Sequence, residues 1–197
     1  MQPILRSLPS HWETIVWDNR LGVYVNGKCV QAVPLDLGPH GRFEGLQRYA
    51  TNTLCYVQDD DVIVSDPQAI VDAWQENQVY EGPRAFIDHV VCNMPPVFRP
   101  HYSDSAMLGF GGAFHRDAPE RAFKRFFDFQ HCMSRDNPLF LRESCRIFTT
   151  LTPRVLVDVA KTDLPYASDP NRLWKQRDHL HFRERALAFA REVRDES

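Results

Sequence analysis

Tyr56-Val57-Gln58-Asp59-Asp60-Asp61-Val62-Ile63-Val64 places three consecutive carboxylates between two apolar, β-branched runs. Like charges this close repel one another, while the flanking runs favour a pleated, half-buried conformation. Leu54 to Gln58 reads as a strand, and Val62 to Val64 continues the extended pattern. The acids therefore fall at the carboxyl end of a strand, where open α/β sheets bind ligands. Asp59 and Asp61 share one side of an extended chain. A hard cation such as Mg²⁺ or Mn²⁺, held by one or two carboxylates and completed by substrate phosphate, offsets such a cluster. A solvated acidic turn is the plain structural alternative.

The remaining pattern alternates short strands with amphipathic helices, which predicts an α/β domain. Gln2 to Leu8 reads as a short helix, Glu13 to Trp17 as a buried strand and Val30 to Leu35 as another strand. Arg42 to Thr51 is helical, and Asp66-Pro67 opens a further helix as N-cap and first-turn proline. Phe86 to Cys92 reads as a strand, Met94 to Ser103 as a proline-rich loop and Met107 to Phe114 as a glycine-rich apolar segment. Helices are expected over Ala118 to Phe127 and Phe140 to Leu151, then a strand over Val155 to Val159 and a loop over Asp163 to Asp169. A charged helix covers about 177–194.

Length and composition narrow the class. At 197 residues, 43% hydrophobic and 12% aromatic, the chain suits one folded domain and not a disordered one. No apolar run approaches the ~20 residues of a membrane span. Met1 to Arg6 lacks the basic and apolar regions of a signal peptide, and the five cysteines show no Cys-x-x-Cys pair. A reducing, cytoplasmic setting with free thiols is the expectation. Phosphate-loop, dinucleotide-binding, nucleophile-elbow and zinc-ligand spacings are absent from the sequence. Residues 1–100 carry 7 Lys/Arg and 12 Asp/Glu, net −5; residues 101–197 carry 16 and 14, net +2. The acidic half suits a cation. The mildly basic half suits an anion but falls short of a nucleic-acid footprint.

The order of the motifs resembles GT-A fold glycosyltransferases over roughly residues 12–185, closest to small bacterial or phage-type members, with some likeness to the exostosin-like branch. The strand ending in Asp59-Asp60-Asp61 is similar to the family's Asp-x-Asp metal site. Ile15-Val16-Trp17-Asp18-Asn19-Arg20 resembles its second strand and following turn, and Gly41-Arg42-Phe43-Glu44 its donor-side helix. Tyr102 and Leu108 to Arg116 resemble the acceptor-side segment, Arg142-Glu143 the acidic helix start, and Asp178-His179 with Arg183 the late histidine region.

That resemblance implies a single GT-A-like domain over 1–197, with a mixed, mostly parallel sheet flanked by helices and without the first nucleotide-binding strand. Its donor and metal half would cover about 1–95 and its acceptor half about 96–170. It also implies a metal-dependent transferase that moves a sugar from a nucleotide-sugar donor to a glycan or other hydroxylated acceptor, modified DNA included. Asp61 would ligate Mn²⁺ or Mg²⁺. Asp59 would contact the donor ribose, or the metal through water, with Asp60 supporting both. Asp18 and Arg42 would line the donor site, Arg42 bonding to phosphate or to Asp59. His179 would complete the metal shell and Arg183 would face the departing diphosphate. Family members commonly carry an aspartate one residue after the helix-start glutamate, where this chain has Ser144. Glu143 and Asp104 are thus both candidates for the general base, and a retaining mechanism stays open. The other classes consistent with the sequence are a non-catalytic nucleotide-sugar or carbohydrate-binding module and a nucleotidyltransferase, which also uses paired carboxylates and Mg²⁺.

Overall fold

The computed structural model describes residues 2–32, 36–77, 89–131, 133–165 and 178–196. It contains helix α1 (Gln2–Ser7), then an antiparallel meander of β1 (Ile15–Asp18), β2 (Gly22–Val25) and β3 (Lys28–Ala32). The β2–β3 turn is Asn26-Gly27, with φ of 49° and 78°. Two positive φ angles make the turn whose twist matches paired strands, and Asn-Gly is its strongest sequence signal. This hairpin is an addition to the expected elements. Glu13 to Trp17 was expected as a buried strand. Instead β1 is half-buried throughout and belongs to the meander.

Helix α2 (Gly41–Tyr49) leads into β4 (Leu54–Val57), the acidic turn and β5 (Val62–Val64). Helix α3 (Pro67–Glu76) follows, capped by the Asp66 carboxylate, which accepts from the Ala69 N–H at 3.1 Å. Next come β6 (Val90–Asn93), β7 (Gly112–His115), α4 (Ala118–Phe129), α5 (Pro138–Leu151), β8 (Arg154–Val157), β9 (Lys161–Asp163) and α6 (His179–Asp195). Short 3₁₀ turns occupy the proline-rich loop and Leu108–Phe110. The parts of the expected strands over Val30 to Leu35 and Phe86 to Cys92 that fall at 33–35 and 86–88 lie outside the described residues. So do 166–169 of the expected loop and 177 of the last helix.

The main sheet has the order β4-β7-β6-β8. The mostly parallel sheet is corrected here: β4–β7 and β6–β7 are antiparallel, and β6–β8 alone is parallel. Between β6 and β7 the chain makes only 3₁₀ turns, which bring it back antiparallel. Between β6 and β8 it passes through α4 and α5, the helical crossover that parallel pairing requires. A separate two-stranded ribbon joins β5 to β9.

Strand alternation divides the interior. Cys55, Val57, Val90, Cys92 and Phe114 face one cluster with α2, α4, α5 and α6, whereas Val91 and Ala113 face the other with α3. A sheet covered on both faces explains the continuous apolar run of β6. The larger cluster centres on five fully or nearly buried rings, Phe43, Phe114, Phe123, Phe140 and Phe148. No helix among the described residues is long and apolar enough to cross a membrane.

Candidate functional site

A cleft of 1390 Å³ opens at the carboxyl end of β4. Its walls come from β1, the start of α2, the β4–β5 turn, residues 106–109, the first half of α5 and His179 at the start of α6. Asp59, Asp60, Asp61, Arg42 and Asp18 line it from one half of the chain, Glu143, Arg146 and His179 from the other.

The acidic turn is pinned at several points. The Asp59 N–H donates to the Gly109 carbonyl at 3.0 Å, and the Asp59 carboxylate accepts from Arg42 Nη2 at 2.5 Å. Gln58 accepts from the Tyr56 hydroxyl at 2.8 Å and donates to the Val62 carbonyl at 2.9 Å. The Asp61 carbonyl accepts from the Leu164 N–H at 2.8 Å. A Cβ at Gly109 would lie 2.2 Å from Asp59 Oδ2, so this close approach needs glycine. Burial opposes the Arg42 charge, yet Asp59 holds the guanidinium above its ordinary pKa. Its Nε donates to the Pro39 carbonyl at 3.0 Å, while Nη1 is buried without a hydrogen-bond partner.

The opposite wall is a buried ionic group. Glu143 is 2% exposed and Oε2 lies 3.1 Å from Arg146 Nε, an i,i+3 pair on α5. Glu143 Oε1 lies 3.3 Å from His179 Nδ1 without hydrogen-bond geometry on either atom. Burial pushes the Glu143 carboxyl above its ordinary pKa, against Arg146, Arg142 and Arg183. Burial, reinforced by Arg146, Arg142 and Arg183, brings His179 down to about 4. His179 is therefore a neutral imidazole near pH 7, with a lone pair available. Arg146 packs over the Tyr102 ring, 4.9 Å to its centroid, and Arg183 packs on the same ring at 4.8 Å.

Other expected site residues sit differently. The structure does not bring Asp104 to the cleft lining: its carboxylate accepts from Arg191 Nη2 at 2.6 Å and also contacts Arg194. These bonds lower the Asp104 pKa. Asp18 lines the cleft, but its carboxylate accepts from the N–H groups of Arg20 and Leu21 at 2.8 and 3.0 Å, closing the β1–β2 turn. Arg183 is outside the cleft lining; its Nη2 donates to the His101 carbonyl at 3.0 Å. Among the described residues, Asp59, Asp61 and His179 do not converge with each other or with further acids, histidines or cysteines into a group of three metal ligands. Asp59 is engaged by Arg42, and His179 lies against Glu143. The donors on the turn are hard carboxylate oxygens, which suit Mg²⁺ or Mn²⁺ bound through one or two of them with substrate phosphate.

Arg146 and Tyr102 are additions to the site that the sequence reading left unassigned a role. Their available signal was spacing: Arg146 follows Glu143 by three residues, on the same helix face. Comparison with protein-family models, with curated proteins and with solved structures gives no match for this chain.

Proposed function

We propose that the chain is a metal-dependent glycosyltransferase of GT-A type, moving a sugar from a nucleotide-sugar donor to an acceptor hydroxyl on a glycan or a modified DNA base. The observation that carries this reading is the shared cleft: the acidic turn Asp59–Asp61 and the buried carboxylate Glu143 line one cavity from opposite halves of the chain.

Each part has a matching task. Transfer breaks the bond between sugar and diphosphate, so negative charge grows on the leaving group. Asp60 and Asp61 would hold a divalent cation together with donor phosphate, and that cation would supply Lewis-acid stabilisation of the charge. Arg42 holds Asp59 in place through a charge-assisted bond. Glu143 takes the proton of the acceptor hydroxyl, a role that a carboxyl with a raised pKa performs well near neutral pH. Neutral His179 lies against the other oxygen of that carboxylate.

Thermal-shift measurements with UDP-, GDP-, dTDP- and CMP-sugars test the reading. A ligand at 100 times its Kd adds about 2.7 kcal/mol to apparent stability. One nucleotide class should raise the melting temperature in the presence of Mn²⁺ and lose that shift in Asp61→Ala. A panel without any nucleotide-dependent shift overturns the reading. Pyrophosphate release in place of nucleoside diphosphate would reassign the chain to nucleotidyl transfer.

A further inference from the structure

A second cavity, of 570 Å³, opens between α1, the loop that follows it, the turn at Asn26 and Asn52 ahead of β4. Its volume falls within the roughly 300–1,000 Å³ of small-molecule sites. Leu5, Leu8, Trp12, Glu13 and Asn52 line both this cavity and the main cleft, so the two are continuous. Trp12 stands at the junction. Its ring meets that of Tyr56 with centroids 5.4 Å apart and planes at 52°. The Tyr56 hydroxyl in turn donates to Gln58, next to the acidic turn.

The lining is polar and held in place. The Trp12 N–H donates to the Pro9 carbonyl at 3.0 Å. Glu13 Oε1 accepts from the Thr51 N–H and Oε2 from the Thr51 hydroxyl, each at 2.9 Å. A carboxylate offers about four lone-pair sites, so part of its accepting capacity stays free. Asn26 Oδ1 accepts from the Thr14 N–H at 2.9 Å, and its NH₂ group has no hydrogen-bond partner among the described residues. The exposed Asn52 side chain has none among them either. Side chains fixed before a ligand arrives lower the ordering cost of binding it.

Charge narrows the ligand. Glu13 is the one carboxylate of the lining, which contains no lysine or arginine. A phosphate would meet that carboxylate with no cation to offset it. Nucleic acid, which binds largely through Lys and Arg at its phosphates, gains nothing here. An aromatic face beside fixed amides and a carboxylate suits a neutral sugar. The apolar C–H face of a sugar ring packs on an indole, and its hydroxyls donate to Glu13 and accept from the amides.

We propose that this cavity is a subsite for a neutral oligosaccharide, which runs past Trp12 into the cleft toward the acidic turn. The subsite stands on its lining; that its glycan is the acceptor, in place of a DNA base, rests on the transferase reading.

Calorimetry on the full chain without donor tests the subsite, with neutral tetrasaccharides of glucose, mannose, galactose and N-acetylglucosamine as probes. A galacturonic acid tetrasaccharide and a duplex carrying hydroxymethylated bases serve as anionic counterparts. At least one neutral probe should bind, and more tightly than either anion. Trp12→Ala should weaken that binding about ten-fold or more. Asn52→Ala, an exposed change, should weaken it about three- to ten-fold and carries the test where Trp12→Ala fails to fold. No binding by any neutral probe, preference for an anion, or unchanged affinity in either folded variant overturns the subsite. Turnover separates the two claims. With the bound glycan as acceptor, Trp12→Ala should raise the acceptor KM about ten-fold and leave kcat and donor KM within about two-fold. Release of nucleoside diphosphate that the bound glycan does not stimulate overturns its acceptor role. A parent chain that binds glycan and releases no nucleoside diphosphate overturns the transferase reading and leaves the subsite standing.

Discussion

Helix α5 separates two ways of burying polar chemistry. Toward the core it presents Phe140, Ile147, Phe148 and Leu151, and there His40 sits among the rings of Phe43, Phe123 and Phe140, 4.8 Å from the last. Toward the cleft it presents Glu143 and Arg146, with His179 against them. Both histidines are brought down to about 4. In the core, burial among aromatic groups suffices, with Glu44 and Arg135 acting in opposite senses. At the cleft, three arginines add to burial. The core lowers a pKa as a by-product of packing. The cleft wall maintains charges whose burial works against stability.

The largest effect expected from breaking this contrast is in the core. Phe148→Ala deletes a ring in contact with Phe43, Phe114 and Phe123 and should cost about 3–5 kcal/mol in urea unfolding. A loss below about 1 kcal/mol would show that the aromatic cluster is loosely packed.

On the cleft side, Arg146→Met alone leaves Glu143 buried with its ion-pair partner removed, and should destabilise by roughly 3 kcal/mol. Glu143→Leu combined with Arg146→Met should recover most of that loss while abolishing transfer. Equal losses in the single and double variants would place this wall in the same class as the core.

The histidines offer a pH test. An unfolded-state His40 binds its proton near 6.5, whereas the folded one waits until about 4. Its contribution is therefore complete above pH 6.5 and lost as pH falls to about 4, worth roughly 3 kcal/mol at most. His40→Phe should flatten part of the stability decline between pH 6.5 and 4 in urea titrations. An unchanged slope would assign the decline to other groups, His179 among them.

A smaller effect is expected at the acidic turn. Gly109→Ala must push the Asp59 carboxylate away from Arg42, costing about 1–3 kcal/mol through the buried guanidinium left without its acceptor. Wild-type stability and donor binding in this variant would show that the turn is free to adjust.

Much of this arrangement was legible in the residues. Asp66-Pro67 marked the start of α3, and the apolar spacing of Phe140, Ile147, Phe148 and Leu151 marked α5. The run Tyr56 to Val64 located the strand, the turn and the acids together. Strand direction was not legible, because period-2 patterning carries no information on whether neighbours run parallel. The crossover through α4 and α5 decides that. The β2–β3 hairpin was passed over because its signal, Asn26-Gly27, lies in turn chemistry and not in the apolar pattern. Glu143 was identified from its place in the order of motifs, but its partners depend on tertiary contact. Tyr102 and His179 come from separate elements, and only packing brings them to α5. Asp104 shows the converse: a loop aspartate near the right segment is claimed by Arg191 and Arg194 on α6.

The most direct measurement is release of nucleoside diphosphate from the nucleotide sugar selected by thermal shift, with Mn²⁺ and after EDTA, in the parent chain, Asp61→Ala and Glu143→Gln. The account predicts turnover in the parent with Mn²⁺, abolition by EDTA and restoration by added metal. Asp61→Ala should lose the response to metal, and Glu143→Gln should lose transfer while still binding donor. Turnover indifferent to EDTA and to Asp61→Ala would contradict the account.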